Sequence, residues 1–432
     1  MNKQWMQRIV VTSFVAVALG LSSGRPAESH DDQDKQDKDD HQREETLYIW
    51  AGDQERVRPD FLAVIDFNEH SHNYGRVLRT VPLPPPGNVG NESHHCHLSA
   101  DKNILACGGL LSVLSRQNGI FFFDVSNARH PVFLFSTSAP DSSITDDFLP
   151  LPTGGFLVTQ MGSATGGAPG RLAEFDRNLA LVAEYPVNPP LDGFNPHGIS
   201  ADFSRNLLVT SDYINPVTTL NVWPGDIELR GSLRFWDLAQ REITRTVFLP
   251  EALGTMDVKL IPRDPHGRAV TVNMFSGFVY TVDPTDGSIV KSFDCEDIVP
   301  HIEVPVRGGM VQLLEMPKSG DRLIFASFQA GQVGMLDISD RTHQNAFVQK
   351  AIVDLGEGAG PHDIVLTKDN SRLVVTDYFL NEDDFGKIHF EGDHKVHVIQ
   401  VTHDTLTLDT RFELDFNTAF KDPARPHGIA MK

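Results

Sequence analysis

Three histidines of this chain sit in one short phrase. Pro196-His197-Gly198-Ile199, Pro361-His362-Asp363-Ile364 and Pro426-His427-Gly428-Ile429 share a Pro-His-x-Ile frame, and His94-His95-Cys96-His97 adds a fourth histidine cluster. The first two phrases run on, without a gap, to matching Leu208/Leu373, Val209/Val374, Asp212/Asp377 and Tyr213/Tyr378. Neutral imidazole is a common ligand for copper, zinc and iron. Three or four imidazoles without an obligatory thiolate hold such an ion and leave room for a substrate. The candidate metal ligands are therefore His94, His95, His197, His362 and His427, for copper, iron or zinc. Asp146, Cys107, Asp212 and Asp377 are the candidate catalytic groups around them. The competing reading of a Pro-His-Gly phrase is a turn whose ring satisfies a backbone group. Recurrence of the histidine at one repeat position favours the shared metal site.

A phrase repeated with its following strand signals is one structural unit used several times. From residue 46 onward short β-branched and aromatic runs alternate with Gly, Pro, Asn and Asp, as in 46–51, 61–67 and 76–83. Each repeat reads as a head, an apolar strand, a polar turn and a returning strand, with two more strands before the next head. The heads are 94–97, 145–148, 196–199, 255–258, 310–313, 361–364 and 426–429, with Leu98-Ser99-Ala100-Asp101 echoing Ile199-Ser200-Ala201-Asp202. Four strands per repeat make a propeller blade. The last repeat stops after one strand and the chain opens with three strands lacking a head, so joining them closes the ring and removes two edges. The expectation is an all-β, seven-bladed β-propeller over 46–432.

In such a fold the first strand of every blade lines the central channel, and the heads meet at one mouth. Asp146, Met256 or Asp257, and Gln312 join the histidines on that ring. Returning strands bring Cys107, Asp212-Tyr213 and Asp377-Tyr378 close to them. The long connections holding 223–226 and 381–384 are expected to cover the mouth. Pro265-His266-Gly267 falls in a turn between strands and should lie at the opposite face. His389, His394, His397 and His403, in a charged stretch, read as solvated.

Bulk properties narrow the function. The 432 residues are 40% hydrophobic and 22% charged, with 27 Phe, ordinary for a globular protein. A net charge of −21 offers no basic footprint for nucleic acid or an anionic membrane. Residues 1–24 read as a signal peptide, with Lys3 and Arg8 before an apolar stretch and Ser22-Ser23-Gly24 at its end. Residues 25–45 read as an acidic disordered tether. A periplasmic or secreted protein without a membrane span in its mature form is expected. Cys96, Cys107 and Cys295 are too few for a disulfide scaffold. Cys96 and Cys107 could pair there or stay as buried thiols, and Cys295 is left over. The sequence holds no His-Glu-x-x-His, no Gly-x-Ser-x-Gly and no phosphate loop before a helix.

From 46 to 432 the chain resembles the selenium-binding protein family, whose exported bacterial members are methanethiol oxidases. The resemblance is carried by Leu83-Pro84-Pro85-Pro86 before His94-His95, by Cys107, by Gly231-Ser232-Leu233-Arg234-Phe235-Trp236-Asp237 with Arg241-Glu242-Ile243, and by Ala359-Gly360-Pro361 with Ser371-Arg372-Leu373. It departs at His97-Leu98, where the family usually has Gly-Trp, and around Asp146-Asp147 and Pro196-His197-Gly198. The resemblance implies a propeller, copper held by histidines, and oxidation of a small thiol by O2 to aldehyde, sulfide and peroxide. The expected function is a metal-dependent oxidoreductase of a small organic sulfur compound. A non-catalytic ligand- or protein-binding propeller and a non-haem iron oxygenase with four histidines are the alternatives.

Overall fold

The structure is a computed structural model, and it describes residues 44–220, 227–295, 309–382 and 388–432. The expected signal peptide, nearly all of the expected tether, and parts of both expected lids (221–226 and 383–387) lie outside the described residues. Glu44 and Glu45, the end of the acidic stretch, are already part of the folded body. Glu44 is buried and accepts from the Lys368 amide at 3.1 Å, and the Glu45 amide donates to the Lys432 carbonyl at 3.0 Å.

Among the described residues, seven antiparallel sheets of four or five strands form the blades. Their innermost strands are Ser93–Leu98, Ser142–Pro150, Pro196–Asp202, Thr255–Leu260, Val311–Glu315, Asp363–Leu366 and Ala424–Met431. Each touches the next in that order, and Ala424–Met431 touches Ser93–Leu98, closing the ring. Closure is built by pairing Ala424–Met431 with Thr46–Asp53, with Ile429 opposite Ile49. The expected seven-bladed propeller, closed by its C-terminal strand, is the observed fold.

Both faces of every blade are covered by a neighbouring blade, so the strands read as nearly continuous apolar runs rather than as strict alternations. Alternate residues serve alternate neighbours. Leu105 and Cys107 pack with Tyr48, Trp50 and Leu62 of the closing blade, whereas Ala106 between them packs with Phe148 and Phe156 of the following blade. Trp50 is fully buried between Phe121 and Phe123, and its Nε1 donates to the Gly108 carbonyl at 2.7 Å. It joins the closing blade to the blade carrying His94 and His95.

The histidine-bearing ends have a second local feature. In six of the seven innermost strands the pairing register shifts at the head, for example between Ser93 and Cys96, Thr145 and Phe148, and Pro196 and Ile199. Such bulges break the alternation, so two consecutive head residues serve the channel. They also make His94, not a residue two places later, the counterpart of His197. The echo of 98–101 with 199–202 is therefore two residues out of register. His266 lies in the turn between Thr255–Leu260 and Ala269–Asn273, at the far end from the heads, with its side chain 60% exposed.

Truncating Trp50→Ala is expected to cost about 3–5 kcal/mol through the cavity it leaves. A denaturant titration of the two proteins measures this, and a loss below ~1 kcal/mol would show that the closing interface does not depend on this side chain.

Candidate metal centre

The channel mouth gathers five imidazoles and one carboxylate, all at least 95% buried. The ring of His94 lies 4.3 Å from that of His95 and 4.3 Å from that of His427, and His362 lies 4.7 Å from His427. His94, His95, His362 and His427 each offer a nitrogen such that all four lie within 4.8 Å of one another. A metal about 2.0–2.1 Å from each nitrogen requires such spacing. His197 stands beside this group, and with His94 and Asp146 it forms a second set on the same 4.8 Å scale. The sequence-derived ligands thus divide into a four-histidine set and an adjoining His197–Asp146 pair.

The hydrogen bonding fits ligation. His427 is 1% exposed, and neither of its ring nitrogens has a hydrogen-bond partner. Nδ1 of His94, Nε2 of His95 and Nδ1 of His197 are likewise buried and unbonded. Leaving such groups without partners costs about 1–3 kcal/mol each, a cost that ligation would remove. Gln312 hydrogen-bonds Nδ1 of His362 through its Oε1, which fixes the tautomer with the lone pair on Nε2. Asp146 holds the other side, 3.1 Å from His94 Nε2, 3.3 Å from His95 Nδ1 and 3.4 Å from His197 Nε2.

Small residues make this convergence possible. A Cβ on Gly428 would stand 2.2 Å from the His94 carbonyl oxygen, and one on Gly198 would stand 2.6 Å from Asp257 Oδ1. The Pro-His-Gly spelling therefore reflects crowding of neighbouring heads as well as the histidine itself.

Burial and neighbouring imidazoles push His94 down to about 4 and hold His197, His362 and His427 below the ordinary range, so these four stay neutral and able to ligate. Burial also opposes a charge on His95, but the Asp146 carboxylate overrides it and lifts His95 to about 9. Burial would raise Asp146, yet His197 and His94 hold it well below the ordinary carboxylate range.

Above the histidines lies a cavity of ≈ 120 Å³, lined by His94, Asp146 and His197 together with apolar residues that include Met161, Met256 and Met274. Tyr213 closes one wall, its ring centre 5.1 Å from that of His197 in an edge-on arrangement and its hydroxyl donating to Met274 Sδ at 3.0 Å. Tyr378 stands 5.6 Å from His427, with its hydroxyl donating to Glu92. On the other side of the histidines, Asp147, Asp257, Lys259, Glu315 and Asp363 line a polar chamber with His95 and His97. Of the two residues proposed for the fourth head, Met256 faces the apolar cavity and Asp257 the polar chamber.

Three sequence-derived catalytic candidates are placed elsewhere. Cys107 is disulfide-bonded to Cys96 across the strand pair and carries no thiol, correcting its assignment as a mouth thiol. Asp212 is consumed by its own blade: it accepts from Arg234 Nε at 2.7 Å, Ser232 Oγ at 2.7 Å and the Asn195 amide at 3.0 Å. Asp377 lies with Asp393 and His397, apart from the axial histidines. The solvated reading also fails for His394, 5% exposed, and for His397, whose side chain is 15% exposed. It holds for His403, at 62%. The side chain of His389 lies outside the described residues. Sequence reading placed Met256 on a head but missed Met161, Met274 and the Asp393–His397 pair, none of which falls on a head. Their signal was position: Met161 lies near the end of the returning strand Phe156–Ser163, Met274 directly follows Ala269–Asn273, and His397 is the counterpart of Arg234.

The family model of the 56kDa selenium binding protein (SBP56) matches residues 34–432. Selenium-binding protein 2 of Arabidopsis thaliana is 23% identical, covering 89% of this chain and 90% of its own length. The methanethiol oxidase of Homo sapiens is also 23% identical, over 86% and 89%. Among solved structures, a hypothetical selenium-binding protein from Sulfolobus tokodaii superposes with a TM-score of 0.71 at 18% identity, covering 90% of this chain and 94% of that one.

The depressed histidines imply a pH-dependent stability. Imidazoles of the unfolded chain titrate near about 6.5, while His94, His197, His362 and His427 resist protonation when folded. As pH falls below that value the unfolded state binds protons that the folded state does not, so stability falls. His95, raised to about 9, acts oppositely and loses its contribution as pH rises above neutrality, one group against four. Urea midpoints of chelated protein at pH 7 and 5 are expected to drop on acidification, and by less in His427→Ala. An equal drop in both would contradict this assignment. On the match of its family model over most of its length, the chain belongs to the selenium-binding protein family.

Proposed function

We propose that the axial histidines bind a transition metal, copper in preference to iron or zinc, and that the protein oxidises a small thiol with dioxygen. The observation carrying this reading is four mutually close imidazoles, of which His94, His95 and His427 carry buried unbonded nitrogens, beside an apolar cavity. Imidazole ligation suits copper, and thioethers such as the neighbouring Met161, Met256 and Met274 are soft donors of the kind copper(I) prefers. The name of the human relative, methanethiol oxidase, agrees with a thiol substrate.

His94, His95, His362 and His427 would hold the ion. Copper bound there would supply the one-electron chemistry that links thiol oxidation to reduction of dioxygen. A cavity of ≈ 120 Å³ suits a small molecule, and its methionine, isoleucine and phenylalanine walls favour an apolar thiol. His197 borders the cavity as a neutral imidazole with an unbonded Nδ1, and Asp146 lies 3.4 Å from its Nε2. Nδ1 of His197 accepts the S–H proton, and Asp146 stabilises the resulting imidazolium, so the thiolate is formed where the walls hold it. The balanced reaction takes methanethiol, dioxygen and water to formaldehyde, hydrogen sulfide and hydrogen peroxide, one molecule of each. The basic-then-apolar N-terminus and the Cys96–Cys107 disulfide support an exported protein.

Metal analysis of untagged protein, with oxygen uptake and sulfide release on methanethiol, tests the reading. The expected result is one copper per chain, lost in His94→Ala/His427→Ala together with turnover. His197→Asn is expected to keep the metal and lose ~10²–10⁴-fold in kcat. Protein that is metal-free and takes up no copper would overturn the proposal.

A further inference from the structure

The sixth blade carries a second constellation away from the axial histidines. Asp377 directly follows the returning strand Arg372–Thr376, His397 lies in Lys395–Val401 opposite Val375, and Asp393 precedes that strand. One carboxylate oxygen from each aspartate and one imidazole nitrogen lie within 4.8 Å of one another. Asp377 is fully buried, and neither of its carboxylate oxygens has a hydrogen-bond partner. His397 Nε2 is 2.8 Å from Asp377 Oδ2, but the two do not meet in hydrogen-bonding direction, and Nε2 is also unbonded.

The repeat supplies an internal comparison. Asp212 is the counterpart of Asp377, and Arg234, opposite Thr210, is the counterpart of His397, opposite Val375. In the third blade the guanidinium of Arg234 binds Asp212 at 2.7 Å and neutralises it. In the sixth blade that permanent cation is replaced by an imidazole, and a second carboxylate, Asp393, is brought in. Buried carboxylates persist when paired or bound to metal, and here the built-in cation is gone. The backbone is held for this purpose: the Asp377 amide donates to Lys395 at 2.9 Å, the His394 amide donates to Asp377 at 3.0 Å, and a Cβ on Gly392 would lie 2.4 Å from the Asp377 carbonyl oxygen. Lys395 Nζ reaches Asp393 Oδ2 at 2.5 Å, but its side chain is 46% exposed and can leave.

We propose that Asp377, Asp393 and His397 form a second metal site, which takes a divalent ion of the zinc or manganese class. Two carboxylates and one imidazole suit such ions, and three protein ligands leave a position for water. The ion supplies the positive charge that Arg234 supplies in the third blade, and it pins the backbone next to Tyr378, whose ring borders His427. The site stands whether or not the axial histidines bind metal.

Zinc titration of chelated protein by calorimetry, with manganese as the alternative probe, tests the site. The axial variant His94→Ala/His427→Ala is expected to retain one zinc or manganese equivalent per chain, and adding Asp377→Asn/His397→Gln is expected to abolish it. In the otherwise unchanged protein, Asp377→Asn/His397→Gln is expected to bind one equivalent fewer than its parent, which keeps the test independent of how the axial variant folds. An unchanged stoichiometry on losing Asp377 and His397, or no zinc or manganese bound by a folded axial variant, would overturn the proposal.

Discussion

Pairing of Ala424–Met431 with Thr46–Asp53 determines where the axis lies, and every feature of the mouth depends on it. The strand carries His427 in its own register and sets Gly428 against the His94 carbonyl, so closing the ring and completing the four-histidine set are one event. Each blade hides both faces against its neighbours, which makes the channel wall a shared product of all seven interfaces. A blade cannot rotate without moving a head, and rigid elements are what a metal centre needs to hold its ligands in place.

The heads then divide the channel chemically. The first head position carries the histidines, Asp146, Met256 and Gln312, and the next position carries His95, Asp147, Asp257 and Asp363. Because the bulge turns both positions inward, an apolar cavity lies on one side of the histidines and a polar chamber on the other. The asymmetry follows from blades that do not spell histidine. Gln312 sets a tautomer, Asp146 carries the balancing negative charge, and Met256 gives the cavity an apolar wall.

The architecture was legible because a repeat reports on symmetry, and the Pro-His-x-Ile phrases sit at symmetric positions. His197, His362, His427 and Asp146 were legible for the same reason. What the phrases could not convey was register and partner choice. Within His94-His95-Cys96-His97, strand alternation alone does not say which of His94, His95 and His97 faces the axis, because a bulge overrides it. Asp212 and Asp377 look identical in sequence, yet Arg234 lies against one and His397 against the other, 22 and 20 residues away along the chain. Cys107 lies on the returning strand as expected, but its cross-strand neighbour is Cys96, so the pair forms a bond instead of presenting a thiol.

The most direct test of the central claim is X-ray absorption at the copper edge on protein loaded with one copper per chain. The expected spectrum shows the metal bound by imidazole nitrogens at about 2.0 Å, with the imidazole scattering lost or reduced in His94→Ala/His427→Ala. A spectrum without imidazole scattering, or one unchanged in that variant, would contradict the assignment of the metal to the propeller axis.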